Sequence, residues 1–339
     1  MFPYNCIRRG DEDKMDTQEI INSIKAWNPF VEHITLSTIF AKMRMNRGST
    51  NVINFGSCGT GKSRSSLELI KALDLGTDIV LDNSTTDRGL FETFLNYPEQ
   101  DIILDECSTL LKDLGTQDMI KIVMEGKSLV WTKNGSVETT DPYRGNIIIN
   151  TNVQISNPVI DRCLTNKAIM NKEMSLAFNK QFVSEYINPP DFKPFINYIR
   201  KIILNKSNPD LTNEEINMVL EFVQNNIDAM EEEEDYSRRI IIRELNYFRH
   251  VKKLFGCLSP EVIEYITPFA KTYIVNAQTP GLMESILGNG PMEKAQLVIK
   301  LSHDGGYTER HARRVINEEL ESGKFKLTGK IISLANRKV

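Results

Sequence analysis

The stretch Asn51-Val52-Ile53-Asn54-Phe55-Gly56-Ser57-Cys58-Gly59-Thr60-Gly61-Lys62-Ser63 decides the fold. Asn51–Phe55 is a short β-prone run. The next eight residues fit the pattern GxxxxGK[ST], and a helix-prone segment, Lys62–Leu73, follows. The residue types at these spacings carry a chemistry. Gly56, Gly59 and Gly61 let the backbone wrap around a phosphate while the N–H groups of Ser57, Cys58, Thr60 and their neighbours turn inward. Lys62 can reach β and γ phosphates, and Ser63 can place a hydroxyl on Mg²⁺. The helix N-terminus turns its positive dipole end toward the same anion. ATP with Mg²⁺ is therefore the expected ligand of this strand–loop–helix unit.

Working outward, short apolar runs recur at Asp78–Leu81, Ile102–Leu104 and Asn146–Ile149. Helical stretches such as Asp87–Asn96 lie between them. Continuous apolar runs alternating with helices predict an α/β fold with a parallel sheet buried on both faces. Ile102-Ile103-Leu104-Asp105-Glu106 ends its strand in two acids about 40 residues after the glycine-rich loop. Asp105 is placed to complete a Mg²⁺ shell and Glu106 to polarise an attacking water, which favours hydrolysis over binding alone. Upstream, Asp16-Thr17 can cap a helix over Gln18–Trp27, and a second apolar helix is expected over Phe30–Met45. Downstream, Phe192–Asn205, Thr212–Met230 and Ser237–Phe255 each carry a periodic apolar face. The acidic run Glu231–Asp235 reads as a solvated loop. Loop signals crowd residues 256–290, with a linker expected near 275–290.

Composition sets bounds on function. The chain has 339 residues, 41 Lys+Arg against 45 Asp+Glu, a net charge of −4 and 40% hydrophobic residues. These values exclude a disordered or collagen-like chain and imply two or three domains. No run approaches the ~20 apolar residues of a membrane span, and Met1–Lys14 is too polar for a secretory leader. Cys6, Cys58, Cys107, Cys163 and Cys257 form no CxxC pair, and the chain has 4 His. Neither zinc nor a disulfide framework is expected, and a reducing cytoplasm suits the chain.

A third strand, Asn146–Ile149, runs into Asn150, Thr151 and Asn152. With the loop and the acidic pair, it resembles the AAA+ class of P-loop ATPases. That resemblance implies that Asn152 is a sensor-1 residue orienting the lytic water. It also implies that Arg162, ten residues on, is an arginine finger reaching a neighbour's ATP, with a surface salt bridge as the rival reading. Arg239, or Arg238 beside it, opens a helix where a sensor-2 contact would fall.

Between the acidic pair and Asn152, Ser128–Thr132 and Val137–Thr140 flank Lys133-Asn134-Gly135-Ser136, a hairpin signal. A hairpin there resembles that of superfamily 3 helicases from viruses, phages and plasmids. The likeness implies a closed homo-oligomer, a hexameric ring, with Lys133 on nucleic acid in the pore and Lys127 nearby. Trp131 either stacks bases or packs on the core.

From Met292 onward ten cations face six anions, a balance of +4 that leaves −8 for residues 1–291. A helix over Glu293–Leu301, a turn, a helix over Glu309–Glu321 and two strands, Phe325–Leu327 and Ile331–Leu334, resemble a winged helix-turn-helix. Arg310, Arg313 and Arg314 begin its second helix, where cations suit a DNA groove. Winged helices also serve as protein contacts. His303 and His311 read as surface or turn residues.

The expected layout is a helical N-terminal segment (1–50), a P-loop ATPase core (51–165), a helical lid (166–275) and a winged helix (290–339). The implied function is an oligomeric ATPase acting on nucleic acid, DNA before RNA, as a superfamily 3-like helicase or translocase of a mobile element. Two alternatives stay open. One is a helicase loader or DNA-binding AAA+ switch. The other is an ATP-dependent protein-remodelling module without nucleic-acid binding.

Overall fold

A computed structural model describes residues 15–43, 50–56, 59–76, 78–133, 136–153, 155–160, 162–168, 176–177, 180–181, 183–184, 190–227, 238–276, 287, 291–304, 313, 316–317, 320 and 325–334. The chain divides into two compact units, Met1–Ala277 and Gln278–Val339.

In the first unit, α1 (Thr17–Trp27) starts at a reciprocal cap: Glu19 N–H donates to the Asp16 carboxylate, and Asp16 N–H donates to that of Glu19, both at 2.8 Å. After it come α2 (Glu32–Lys42) and β1 (Asn51–Gly56). A π-helical turn, Arg64–Glu68, leads into α3 (Leu69–Leu73). Next are β2 (Asp78–Leu81), α4 (Asp87–Asn96), β3 (Asp101–Asp105), α5 (Ser108–Leu111) and α6 (Leu114–Met124). A hairpin of β4 (Val130–Lys133) and β5 (Ser136–Thr139) precedes β6 (Ile147–Thr151), α7 (Asn157–Ile160) and β7 (Cys163–Ala168). The helices α8 (Lys193–Leu204), α9 (Asn213–Ile227), α10 (Arg238–Phe255) and α11 (Pro260–Asn276) complete the unit.

The five-stranded sheet is parallel throughout, in the order β2-β3-β6-β1-β7. The chain is thus mixed α/β around a parallel sheet, as its alternating apolar runs predict. Strand β6, although distant in sequence, lies between β1 and β3. Its partners are Ile148 on Val52 and Ile149 on both Ile53 and Leu104. The two faces feed separate cores. Val52, Ile103, Ile148 and Leu164 pack with Ile20, Phe40, Leu69, Phe195, Tyr247 and Val262 on one side. Ile53, Ile102, Leu104, Ile147 and Ile149 pack with Leu90, Phe91, Leu110, Ile120 and Val159 on the other. Burial on both faces explains why these strands read as unbroken apolar runs.

Several elements depart from the sequence expectation. Strand β7 carries Thr165, Asn166 and Lys167 and lacks an apolar run, so composition conceals it. Helix α11 occupies residues that read as loop. Its Ser259-Pro260 signal is a cap, with Val262 N–H donating to Ser259 Oγ at 3.3 Å and Pro260 at the first position, where a missing N–H costs nothing. Pro268 lies inside the same helix. The second unit has a three-stranded antiparallel sheet. The expected strands β9 (Phe325–Thr328) and β10 (Ile331–Leu334) pair with each other, and a short β8 (Met292–Glu293), which composition did not signal, pairs with β10. With α12 (Lys294–Asp304) they enclose Leu287, Leu297, Leu301, Ile316, Phe325 and Ile332.

Two buried polar features shape the stability. Lys42 at the end of α2 is held between Asp78 of β2 and Asp101 of β3, with side-chain exposures of 2%, 12% and 2%. Helix α10 buries Glu244 and His250 among its core-facing residues. Burial lowers His250 to about 4 and raises the Glu244 carboxyl to about 7, against an opposing pull from Arg243. The His250 ring meets Asn246 O at 2.6 Å, Met43 O at 3.2 Å and Thr50 Oγ1 at 3.3 Å.

Lys42→Met would strand two buried carboxylates and should cost about 3–5 kcal/mol in denaturant unfolding; a loss below 1 kcal/mol would contradict the buried triad. The pH dependence has two limbs of opposite sign. His250 binds a proton more readily unfolded than folded, so its contribution is present above pH 6.5 and drains away as pH falls toward 4. Glu244 binds its proton more tightly when folded, so its contribution is present below pH 4.5 and is lost as pH rises through about 7. Glu244→Gln should therefore raise the unfolding midpoint more at pH 8 than at pH 5, and His250→Gln should flatten the limb below pH 6.5. Parallel pH profiles for Glu244→Gln and the parent protein would refute the first assignment.

Candidate functional site

The site forms where β1, β6 and β3 end side by side. Gly56 closes β1 so tightly against β7 that a Cβ there would sit 2.4 Å from Ala168 O. Gly59 and Gly61 have φ of +77° and +82°, backbone that favours glycine. Ser57 and Cys58 lie outside the described residues. Thr60 and Lys62 are buried. The Lys62 ammonium folds back over the loop, donating to Gly56 O at 2.7 Å and approaching Thr60 Oγ1 at 3.4 Å. The π-helical turn begins immediately after Ser63, so the helix at the loop is wound more loosely there than a regular α-helix.

Ser63 and Asp105, 42 residues apart in sequence, meet directly: Ser63 Oγ donates to Asp105 Oδ1 at 2.8 Å. The same carboxylate oxygen accepts a second bond, from Asn150 Nδ2 at 2.8 Å. Asn150 also donates to Ser66 Oγ at 2.9 Å, and Ser66 in turn donates to Lys62 O at 2.9 Å. The loop, its helix, β6 and β3 are thereby tied together through side chains.

Glu106 follows at the strand end. It is exposed and has φ +57°, a left-handed conformation unusual for a non-glycine residue. Its N–H donates to Asn150 O at 3.1 Å. This conformation costs roughly 1–2 kcal/mol for a residue with a side chain, and such strain concentrates at functional positions. Asn152 stands beside the exit of β3, accepting from Ser108 Oγ at 2.8 Å. Cys107 is buried, and its thiol donates to Leu81 O at 3.2 Å. Burial, reinforced by the Asp82 and Asp105 charges, pushes that thiol up to about 12, so it stays protonated and unreactive.

Of the expected site residues, the structure brings Gly56, Gly59, Thr60, Gly61, Lys62, Ser63, Asp105, Glu106 and Asn152 to this one end of the sheet. Asn150 is the residue that sequence reading missed. A detectable signal was present, namely a lone amide in a buried run, Ile147–Ile149 followed by Asn150, two residues before Asn152.

Arg162 points to its own chain. Its guanidinium pairs with Glu125 and reaches Pro158 O, and its side chain is 11% exposed. Lys127 pairs with the same carboxylate at 2.6 Å, and the two cations hold Glu125 down at about 2. Arg239 belongs to α10, with its side chain outside the described residues, as is that of Lys133 at the end of β4. The hairpin tip, Asn134-Gly135, also lies outside them. Trp131 packs on the body: its ring lies 5.3 Å from Phe91 and beneath Arg88, which pairs with Glu138 of β5 at 2.7 Å. Val130 and Val137 face outward from the same hairpin. Arg313 is exposed and helical, whereas Arg310 and Arg314 lie outside the described residues.

Among the described residues, no group of three or more His, Cys, Asp or Glu is placed to hold a metal, and no helix is long and apolar enough to cross a membrane. No protein-family model matches this chain, and no curated protein matches it.

The strain at Glu106 is directly testable. Asn adopts the left-handed region more readily, so Glu106→Asn should unfold at or above the parent's denaturant midpoint, with a gain of up to about 1 kcal/mol. A loss exceeding 1 kcal/mol would show that the Glu106 side chain, and not the strained backbone, governs stability there.

Proposed function

We propose that the chain is an ATPase of the AAA+ type that acts on nucleic acid, most specifically a superfamily 3-like DNA helicase or translocase working as a homo-oligomeric ring. The observation that carries the nucleotide reading is the 2.8 Å contact between Ser63 Oγ and Asp105 Oδ1 at the mouth of the Gly56–Lys62 loop. A hydroxyl and a carboxylate side by side form a hard-oxygen donor set that fits Mg²⁺, which commonly takes one or two protein ligands and completes its shell with phosphate and water. When bound, Mg²⁺ would neutralise phosphate charge.

The chain's own residues would then act as follows. The loop's N–H groups and Lys62 bind the phosphates, and the ammonium exchanges Gly56 O for phosphate oxygen. Glu106, exposed at the strand end, accepts a proton from the attacking water. Asn152 orients that water. Arg162 from a neighbouring copy would meet the γ-phosphate, and Arg239 would contact the nucleotide from the lid. The β4–β5 hairpin, clamped to α4 through Arg88 and Trp131, would carry Lys133 and Lys127 to the nucleic-acid backbone. The C-terminal unit would act as a winged helix, with Arg310, Arg313 and Arg314 toward DNA.

A second reading, an ATP-controlled DNA-bound switch or loader, is favoured by one observation. Arg162 is engaged by Glu125 of its own chain, so acting in trans requires that ion pair to open.

Mg²⁺-dependent ATP hydrolysis by the full chain tests the first step, and Lys62→Ala should lower it by ~100-fold or more, the scale of losing one transition-state charge donor. Adding DNA should stimulate turnover, and Lys133→Ala should bring the rate with DNA down to the rate without it. Stimulation should fade with added salt as phosphate contacts weaken. If neither forked nor single-stranded DNA changes turnover, the translocase reading fails. DNA binding with slow turnover and no strand separation would select the switch.

A further inference from the structure

The amide of Asn150 is the last of three in a row. Asn166 of β7, Asn54 of β1, Asn150 of β6 and Asp105 of β3 occupy directly paired positions across four strands. Their side chains bond in sequence: Asn166 Nδ2 to Asn54 Oδ1 at 2.7 Å, Asn54 Nδ2 to Asn150 Oδ1 at 2.8 Å, and Asn150 Nδ2 to Asp105 Oδ1 at 2.8 Å. All three asparagines are fully buried. The far end is anchored by Asn166 Nδ2 donating to Ser37 Oγ of α2 at 2.7 Å.

The terminal carboxylate sets the direction of the whole row. An ionised Asp105 can only accept, so Asn150 must turn its NH₂ group toward it and its oxygen toward Asn54. Asn54 must then donate to Asn150 and accept from Asn166. Aligned donors of this kind polarise one another.

Packing does not explain the row. Asparagine is disfavoured in strands, buried amides are costly, and Asn166 Oδ1 is buried with no hydrogen-bond partner. Apolar residues of similar size would fill the same sheet face at less cost.

We infer that Asn54 and Asn166 are positioning residues for Asp105. They lock the Asn150 amide in the one orientation that holds the carboxylate against Ser63. With Asn54 unable to donate, the Asn150 carbonyl loses its buried partner, the amide is held only by Asp105 and Ser66, and its aim at the carboxylate beside Ser63 loosens. The inference rests on the nucleotide reading above, since its consequence falls on Mg²⁺ held by Ser63 and Asp105.

The test is equilibrium binding of a fluorescent ATP analogue to the full chain, titrated with Mg²⁺ and repeated in EDTA, with thermal unfolding in parallel. Asn54→Leu and Asn166→Leu should stay folded and keep the parent's affinity in EDTA. Asn54→Leu, one bond beyond the carboxylate's own partner Asn150, should need up to about 10-fold more Mg²⁺ for half-maximal enhancement, the lower end of the range for losing a direct partner of a metal ligand. Asn166→Leu, one rung further away, should show a smaller shift of the same sign. An unchanged Mg²⁺ midpoint in a folded Asn54→Leu overturns the inference, and if that variant fails to fold, Asn166→Leu decides by the same criterion. Failure of both to fold marks the row as structural and overturns it as well. A parent protein that binds no nucleotide at any Mg²⁺ concentration instead sinks the ATPase reading itself.

Discussion

One carboxylate oxygen organises the site. Asp105 Oδ1 accepts from Ser63, which belongs to the loop after β1, and from Asn150, which belongs to β6. Three chain segments therefore converge on a single acceptor, and none of them is a sequence neighbour of another. The convergence depends on β6 lying between β1 and β3, because only that order puts Asn150 within reach of both the loop helix and the acidic strand. The sheet thus serves as a ruler. Its strand spacing and register bring an oxygen-donor pair and a glycine-rich loop together at one edge, the arrangement typical of ligand sites in open α/β sheets.

The scaffold beneath is divided between apolar and polar constraints. Each sheet face is sealed by its own helical layer, so the strands cannot slip by one residue without exchanging their cores. The polar constraints lie at the strand ends and on the Asn166–Asn54–Asn150 row. At the opposite end of the sheet from the loop, Lys42 bridges Asp78 and Asp101 and ties α2 to two strands. At the loop end, strain appears in Glu106 and looser winding appears after Ser63. Regular packing thus supports a deliberately irregular rim.

The hairpin and Arg162 show how position and engagement differ. The β4–β5 hairpin is fastened to α4 by Arg88, Phe91 and Trp131. Trp131 is committed to the body through Phe91 and Arg88. Arg162 is equally committed, through Glu125 and Pro158. In a ring, its action on a neighbour would exchange one carboxylate partner for a phosphate.

Much of this was legible in the residues alone. The Gly56–Ser63 pattern, the Asp105-Glu106 pair and the apolar runs at β1, β2, β3 and β6 are local signals, because a buried parallel strand needs continuous apolar residues and a phosphate loop needs glycine at set spacings. Capping of α1 was also local. Other features were not legible, for reasons that are equally physical. Strand β7 is built from Thr165, Asn166 and Lys167 and earns its place by pairing with β1. Helix α11 begins with a Ser-Pro signal that reads equally as a loop until the chain beyond it folds. The role of Asn150 depends on a partner 45 residues away, on β3, and that of Asn54 on partners on both sides. The residues alone marked β1, β2, β3, β6, β9 and β10, the glycine-rich loop after β1 and the two acids that end β3. The placing of β7 beside β1, the donors on Asp105 and the pairing of Arg162 within its own chain came from the folded chain alone, because hydrogen bonds between distant segments depend on register and not on spacing along the chain.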